Sequence, residues 1–135
     1  VERVGTEENK VVVRRFIENV ASGRYVSVAD DVLAPGYVNL AFQGVDIAGL
    51  KAMTAALSAV VGEGRTSPLE MVAEGEAVFA RFDYAVALPD GSERTSRGLA
   101  YYHLTDGKID VNDVMMMPDL HELLGPFMGP PPPDQ

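Results

Sequence analysis

The chain has 135 residues, a formal net charge of −9 and no cysteine. That length supports one domain with its own core, while the acidity argues against nucleic acid as a partner, since phosphate binding needs a basic stripe. Without cysteine there is no disulfide framework and no thiolate metal site, and no apolar run approaches the ~20 residues of a membrane span. A soluble, cytoplasmic domain is expected.

Residues 1–8 are polar and read as a flexible N-terminus rather than a signal segment. Val11, Val12, Val13, Phe16, Ile17 and Val20 then recur at helical spacing, with Thr6 as the cap candidate and Gly23 as the stop. A second, short helix is expected over about 25–33, ended by Pro35-Gly36. Residues 37–42 alternate like a strand. Asp46 caps a third helix, whose Ile47, Leu50, Met53, Leu57 and Val61 make one stripe.

From Ser67 onward the period changes to two. Strands are predicted over 68–73, 76–88, 94–104 and 108–116, joined at Glu74-Gly75, Pro89-Asp90-Gly91 and Asp106-Gly107, the residues of antiparallel hairpins. A last short helix is expected over 119–124, and 129–135, with its consecutive prolines, reads as an extended tail. Helices followed by a meander of strands make an α+β pattern. The expectation is a single domain over 9–128, a cone-shaped curved sheet packed on its N-terminal helices. Such a cone can hold a ligand inside the sheet's curve.

The unit with the most chemistry is Arg81-Phe82-Asp83. Side chains two apart on a strand share a face, ~7 Å apart along it. Phe79, Arg81, Asp83 and Ala85 therefore point one way, and the apolar set Val78, Ala80, Phe82, Tyr84 and Val86 points the other. With Asp113 from the last strand, two carboxylates would surround one guanidinium. Buried, that cluster is cheapest with a single shared proton, which leaves one base and one acid at the same pH. Arg81 bridges them and cannot lose its own proton. Tyr37 and Asn39, also two apart, offer a hydroxyl and a carboxamide that could hold a water.

Plainer readings exist for each residue. Arg81 and Asp83 also describe an exposed ion pair on a solvated face. Tyr37 suits a core, Asn39 a strand end, and Asp113 with Asp110 and Asp106 a charged strand edge. His103 reads as a satisfied sheet residue. His121-Glu122 makes no zinc pair, because position 125 is glycine, so no metal and no cofactor is expected. Ser96, Gly98 and Ala100 put small side chains on one face, as either ligand space or close packing requires.

Arg81-Phe82-Asp83, then Ala87-Leu88-Pro89-Asp90-Gly91, then Leu104-Thr105-Asp106-Gly107-Lys108-Ile109 resembles limonene-1,2-epoxide hydrolase, whose pattern has these motifs at matching separations. Tyr37-Val38-Asn39 corresponds to that family's water-holding pair. A looser similarity over about 9–124 is to the nuclear-transport-factor-2-like superfamily, with its SnoaL-type cyclases and ketosteroid isomerase. The resemblance implies a one-step opening of a small apolar epoxide to a vicinal diol. Asp83 would be the base, Arg81 the bridge and Asp113 the acid, with Tyr37 and Asn39 positioning the water.

The last strand departs from that pattern. Only three residues separate Ile109 from Asp113, where the family has four, and a gapless match lands on Val114. One residue of shift turns a side chain to the other face unless a bulge restores it. Asp110 and Asn112 share Val114's face and are candidate substitutes. The SnoaL-type cyclases' carboxylate also falls on Val114 and their strand histidine on Ala100. The isomerase's tyrosine and base fall on Phe16 and Leu40. The expected activity is thus a cofactor-independent epoxide hydrolase. The alternatives are a SnoaL-like polyketide cyclase or isomerase, and a non-catalytic ligand-binding dimer. A homodimer through the back of the sheet (Leu99, Tyr101, His103) is expected in each case.

Overall fold

The computed structural model describes residues 5–24, 28–42, 46–59, 61–119 and 122. Helix α1 spans Thr6–Ala21. Its cap is Gly5, one residue before Thr6, and the Gly5 N–H donates to the Glu8 carboxylate at 3.1 Å. The helix thus takes in Thr6 to Glu8 from the segment expected to be flexible. Glu7 and Glu8 in the first turn complement the positive end of the helix dipole. Val13, Phe16 and Ile17 form the buried stripe, and Val11 stays exposed. Gly23, at φ +82°, lets the chain leave the helix in the left-handed region.

The second helix, α2, is only Ala29–Val32, shorter than its pattern suggested. Strand β1, Leu33–Asn39, takes over the following residues, Pro35 included. Proline is tolerated there because β1 is an edge strand, paired only with β5. The strand also stops earlier than the predicted alternation. Asn39 Oδ1 accepts from the Ala41 N–H at 3.0 Å and turns Leu40–Phe42 into a single 3₁₀ turn. Helix α3, Ile47–Ser58, begins as expected at Asp46, whose carboxylate accepts from the Gly49 N–H at 2.9 Å.

Four strands follow: β2 Gly64–Glu74, β3 Ala77–Ala87, β4 Glu93–Thr105 and β5 Lys108–Met117. Asp106 and Gly107 lie at φ 52° and 78°, the two positive angles that a tight hairpin turn requires. The sheet order is β1-β5-β4-β3-β2, antiparallel except for the parallel pair β1 and β5. The result is a mixed α+β cone. Helix α1 lies against β2, β3 and β5, and α3 against β1. No described helix is long and apolar enough to cross a membrane. The helix expected over 119–124 and the tail over 129–135 lie outside the described residues, apart from Asp119 and Glu122.

Helices cover one face of the sheet. Val78, Ala80, Phe82, Tyr84 and Val86 are buried on that face, joined by Ser96, Ala100, Tyr102 and Leu104 from β4. The other face exposes Val72, Phe79, Leu99, Met115 and Met117. Of the small residues on β4, Gly98 makes room for protein rather than ligand, because a Cβ there would run into the Phe82 ring opposite. Gly98→Ala is expected to cost about 1–3 kcal/mol through this overlap. Thermal and denaturant unfolding measure it, and adding Phe82→Leu should restore much of the loss. An unshifted midpoint for Gly98→Ala would show that the ring is not held against β4.

Candidate functional site

A cavity of about 120 Å³ lies between the covered face of the sheet and helices α1 and α3. Phe16, Ile17, Leu57, Phe82, Val114 and Met116 supply apolar wall. Among the described residues the polar groups on the wall are Asn39, Thr66, Tyr84, Tyr102 and Asn112, and none of these is a carboxylate, a histidine or a cation. Strand parity puts them there. On β5, Asn112, Val114 and Met116 turn inward, while Asp113, Met115 and Met117 turn out.

Asn112 is the centre of the polar wall. It is 3 % exposed, and its Nδ2 donates to Tyr37 Oη at 3.3 Å. Tyr37, 1 % exposed, stands behind Asn112 and does not itself line the cavity. The parallel pairing of β1 with β5 sets Asn39 opposite Asn112 and so creates this group. The Asn39 oxygen is committed to Ala41, and its carboxamide is the second group that hydrogen-bonds Tyr37. Phe16 packs on both phenols, with ring centroids 6.3 Å from Tyr37 and 5.9 Å from Tyr102.

These phenols stay protonated. Burial pushes Tyr37 up to about 12, partly offset by the hydrogen bonds from Asn112 and Asn39. Burial also raises Tyr102, with a smaller push from the neighbouring Tyr37, and it raises Tyr84. Two buried side-chain atoms of residues that line the cavity have no hydrogen-bond partner, Asn112 Oδ1 and Thr66 Oγ1. Buried polar atoms are normally paired, so each marks a demand the protein leaves unmet.

The charged residues expected at the site lie elsewhere. Arg81, Asp83 and Asp113 are all exposed, on the uncovered face of the sheet. Arg81 is 49 % exposed in its side chain and pairs with Glu70 on β2 at 3.5 Å. Asp83 sits across from Arg97, and Asp113 across from Tyr101. Strand β4 separates Arg81 from Asp113, which places them two strand spacings apart, ~9–10 Å. Among the described residues Arg81 has one carboxylate partner, Glu70, and bridges no pair of acids. The physical reason is parity: Arg81 and Asp83 share Phe79's side, and only the side of Phe82 is covered by helices.

Of the two candidate substitutes for the acid, Asn112 reaches the cavity and Asp110 does not. Asp110 is the extra residue of a bulge, since His103 opposes Val111 and Leu104 opposes Ile109. It turns outward, accepting from His103 Nδ1 and Thr105 Oγ1 at 2.7 Å each. Partial burial works to raise its carboxyl, but those two hydrogen bonds and the nearby imidazole outweigh it and the net shift is downward. Face parity with Val114 marks Asn112 in the sequence. Its bond to Tyr37, 75 residues away, is visible only in three dimensions. Among the described residues no group of His, Asp and Glu could hold a metal ion.

The sequence profile of the SnoaL-like domain matches residues 13–111, most of the chain, and the protein belongs to that family. Solved structures share its fold. TsrD from Streptomyces laurentii is 17% identical with a TM-score of 0.74, covering 91% of this chain and 98% of its own. A SnoaL-like polyketide cyclase from Agrobacterium tumefaciens is 10% identical with a TM-score of 0.68, covering 84% and 92%. A nuclear-transport-factor-2-like protein of unknown function from Burkholderia pseudomallei is 16% identical with a TM-score of 0.68, covering 91% and 98%. No curated protein matches the sequence.

Because Arg81 and Asp83 are solvated in the single chain, Asp83→Asn and Arg81→Ala are each expected to shift the stability of the monomer by no more than about 0.5 kcal/mol. Chemical denaturation decides the matter. A loss of several kcal/mol for Arg81→Ala would mean that it holds a buried charge after all.

Proposed function

We propose that this SnoaL-like chain acts on a small, neutral, oxygen-bearing apolar molecule as a cyclase or isomerase that works without an ionised acid or base. The observation that carries the reading is the cavity wall, uncharged among the described residues, in which Asn112 is buttressed by Tyr37. Ring closure of a neutral enol onto a carbonyl is chemistry of this kind. The new carbon–carbon bond forms as the enol proton passes to the carbonyl oxygen, so the protein takes up no net proton. The cavity contributes by holding the chain folded for closure and by hydrogen bonding to the oxygens, through proximity and uncharged donors. The name of the Agrobacterium neighbour supports the reaction class through shared fold alone. Water attack on an epoxide is less well supported, because it calls for an acid and a base, and the described residues of the cavity wall include neither. In this reading Asn39 serves the ligand directly and Tyr37 is a positioning residue.

The pH dependence tests the reading on a short acyclic diketone. Burial raises Tyr37 to about 12 and the other buried phenols are also raised, so the neutral donors persist as pH rises. Turnover is expected to be level from about pH 6 to about pH 9, falling only where phenols ionise. A limb between about pH 4 and pH 7 would reveal a working carboxylate or imidazole and overturn the reading, as would diol formation from limonene oxide.

We also propose that two copies pair through the uncovered face, where Phe79, Leu99, Met115 and Met117 stand exposed together. Light scattering should find a dimer, and Leu99→Glu with Met115→Glu should give a folded monomer. A monomeric wild type at micromolar concentration would exclude the pairing.

A further inference from the structure

Strand β5 runs past β4 with one residue to spare. Lys108 opposes Thr105 and Ile109 opposes Leu104, but Val111 then opposes His103, and Asp110 is left without a partner. Beyond this bulge Asn112 opposes Tyr102, Val114 opposes Ala100 and Met116 opposes Gly98. Tyr102 and Ala100 are buried on the covered face, so Asn112 and Val114 turn inward with them. A bulge leaves one residue unpaired and disrupts the ladder locally, so something must favour it here.

A regular ladder continued from Ile109 is the competing arrangement. Asp110 would oppose His103, Val111 would oppose Tyr102, and Asp113 would oppose Ala100. One residue of slip sends every side chain beyond it to the other face. Val111, Asp113, Met115 and Met117 would turn inward, and Asn112, Val114 and Met116 outward. Apolar content does not choose between these sets, since each contains valine and methionine. The bonds of Asp110 to His103 and Thr105 do not choose either, because Asp110 lies outward beside His103 in both arrangements.

The remaining costs differ in kind. The observed register leaves Asp110 unpaired in the ladder and buries Asn112 Oδ1 without a donor. It keeps the bonds from Asn112 to Tyr37 and from Ser96 to the Pro118 carbonyl. The slipped register would turn the Asp113 carboxylate toward a wall with no cation among its described residues. An unpaired buried charge costs more than an unpaired buried acceptor, so the charge decides.

We infer that Asp113 is a positioning residue, whose charge holds β5 in the bulged register and so keeps Asn112 turned inward against Tyr37. The role needs a charge and nothing else of the side chain. It stands whatever reaction the cavity supports, because it concerns how the wall is set. The aspartate expected from the sequence to act as an acid thus works by staying out of the cavity.

Backbone NOEs in the whole chain read the register directly. The native protein is expected to show cross-strand contacts from Tyr102 to Asn112 and from Ala100 to Val114. Asp113→Leu should shift them by one residue, in part or in full, so that Tyr102 meets Val111 and Ala100 meets position 113. Asp113→Glu and Asp113→Lys should keep the native pairs, because either charge is costly to turn inward. Deleting Asp110 from the Asp113→Leu chain should restore the pairing of Tyr102 with Asn112, since the strand then reaches it without a bulge. Should Asp113→Leu fail to fold, Asp113→Asn, neutral and of nearly the same shape, is read in the same way. Native pairs alone in the neutral variant would overturn the inference. So would slipped pairs in Asp113→Lys, or a slip that survives deletion of Asp110.

Discussion

A β-strand turns alternate side chains to opposite faces, and among the described residues helices cover only one face of the sheet. The location of the site follows from that constraint. Strand residues of one parity pack against the helices and the cavity, and those of the other mostly face solvent, although Ala85 is buried on the outer side. Arg81 and Asp83 have the parity of Phe79 and go outward, whereas Phe82 and Tyr84 go in. The assignment is also the cheap one. Burying a guanidinium and its acids would cost several kcal/mol per ion unless every lone pair and proton were matched, while on the open face water solvates them. Irregularities in register occur in β1, β2 and β5, and the one at Asp110 takes a carboxylate away from the covered side.

What remains inside is polar but uncharged. Tyr37, Asn39 and Asn112 meet because the edge strand β1 runs parallel to β5, and their hydrogen bonds make burial of a phenol and two carboxamides tolerable. Phe16 presses on Tyr37 and Tyr102 and keeps both rings in place. The same packing keeps the phenols protonated, so the group supplies hydrogen bonds without supplying charge. The carboxamide of Asn112 belongs to this group, one half bonded to Tyr37 and the other buried without a partner.

The helix stripe of Val13, Phe16 and Ile17, the Asp46 cap and the turn at Asp106-Gly107 were legible in the sequence, because each depends on residues within a turn or two of one another. The boundary between α2 and β1 was not. Pro35 reads as a break, yet an edge strand has spare N–H positions and absorbs it. Asn39 ended β1 early through a local side-chain bond that alternation cannot register. The spacing of Arg81, Asp83 and the following motifs matched a hydrolase pattern. Spacing records distance along the chain and is silent about which side of the sheet is covered.

The sequence by itself determined the α+β order of elements, the division of each strand into two sets of side chains, and the inward position of Asn112 relative to Asp113. Those properties come from periodicity and local turn chemistry. Only the tertiary structure decided which of the two sets became the interior, that Asp110 would bulge outward, and that Tyr37 would stand behind Asn112. Those outcomes depend on where helices pack and on pairing between strands far apart in the chain, contacts whose energies no local pattern encodes.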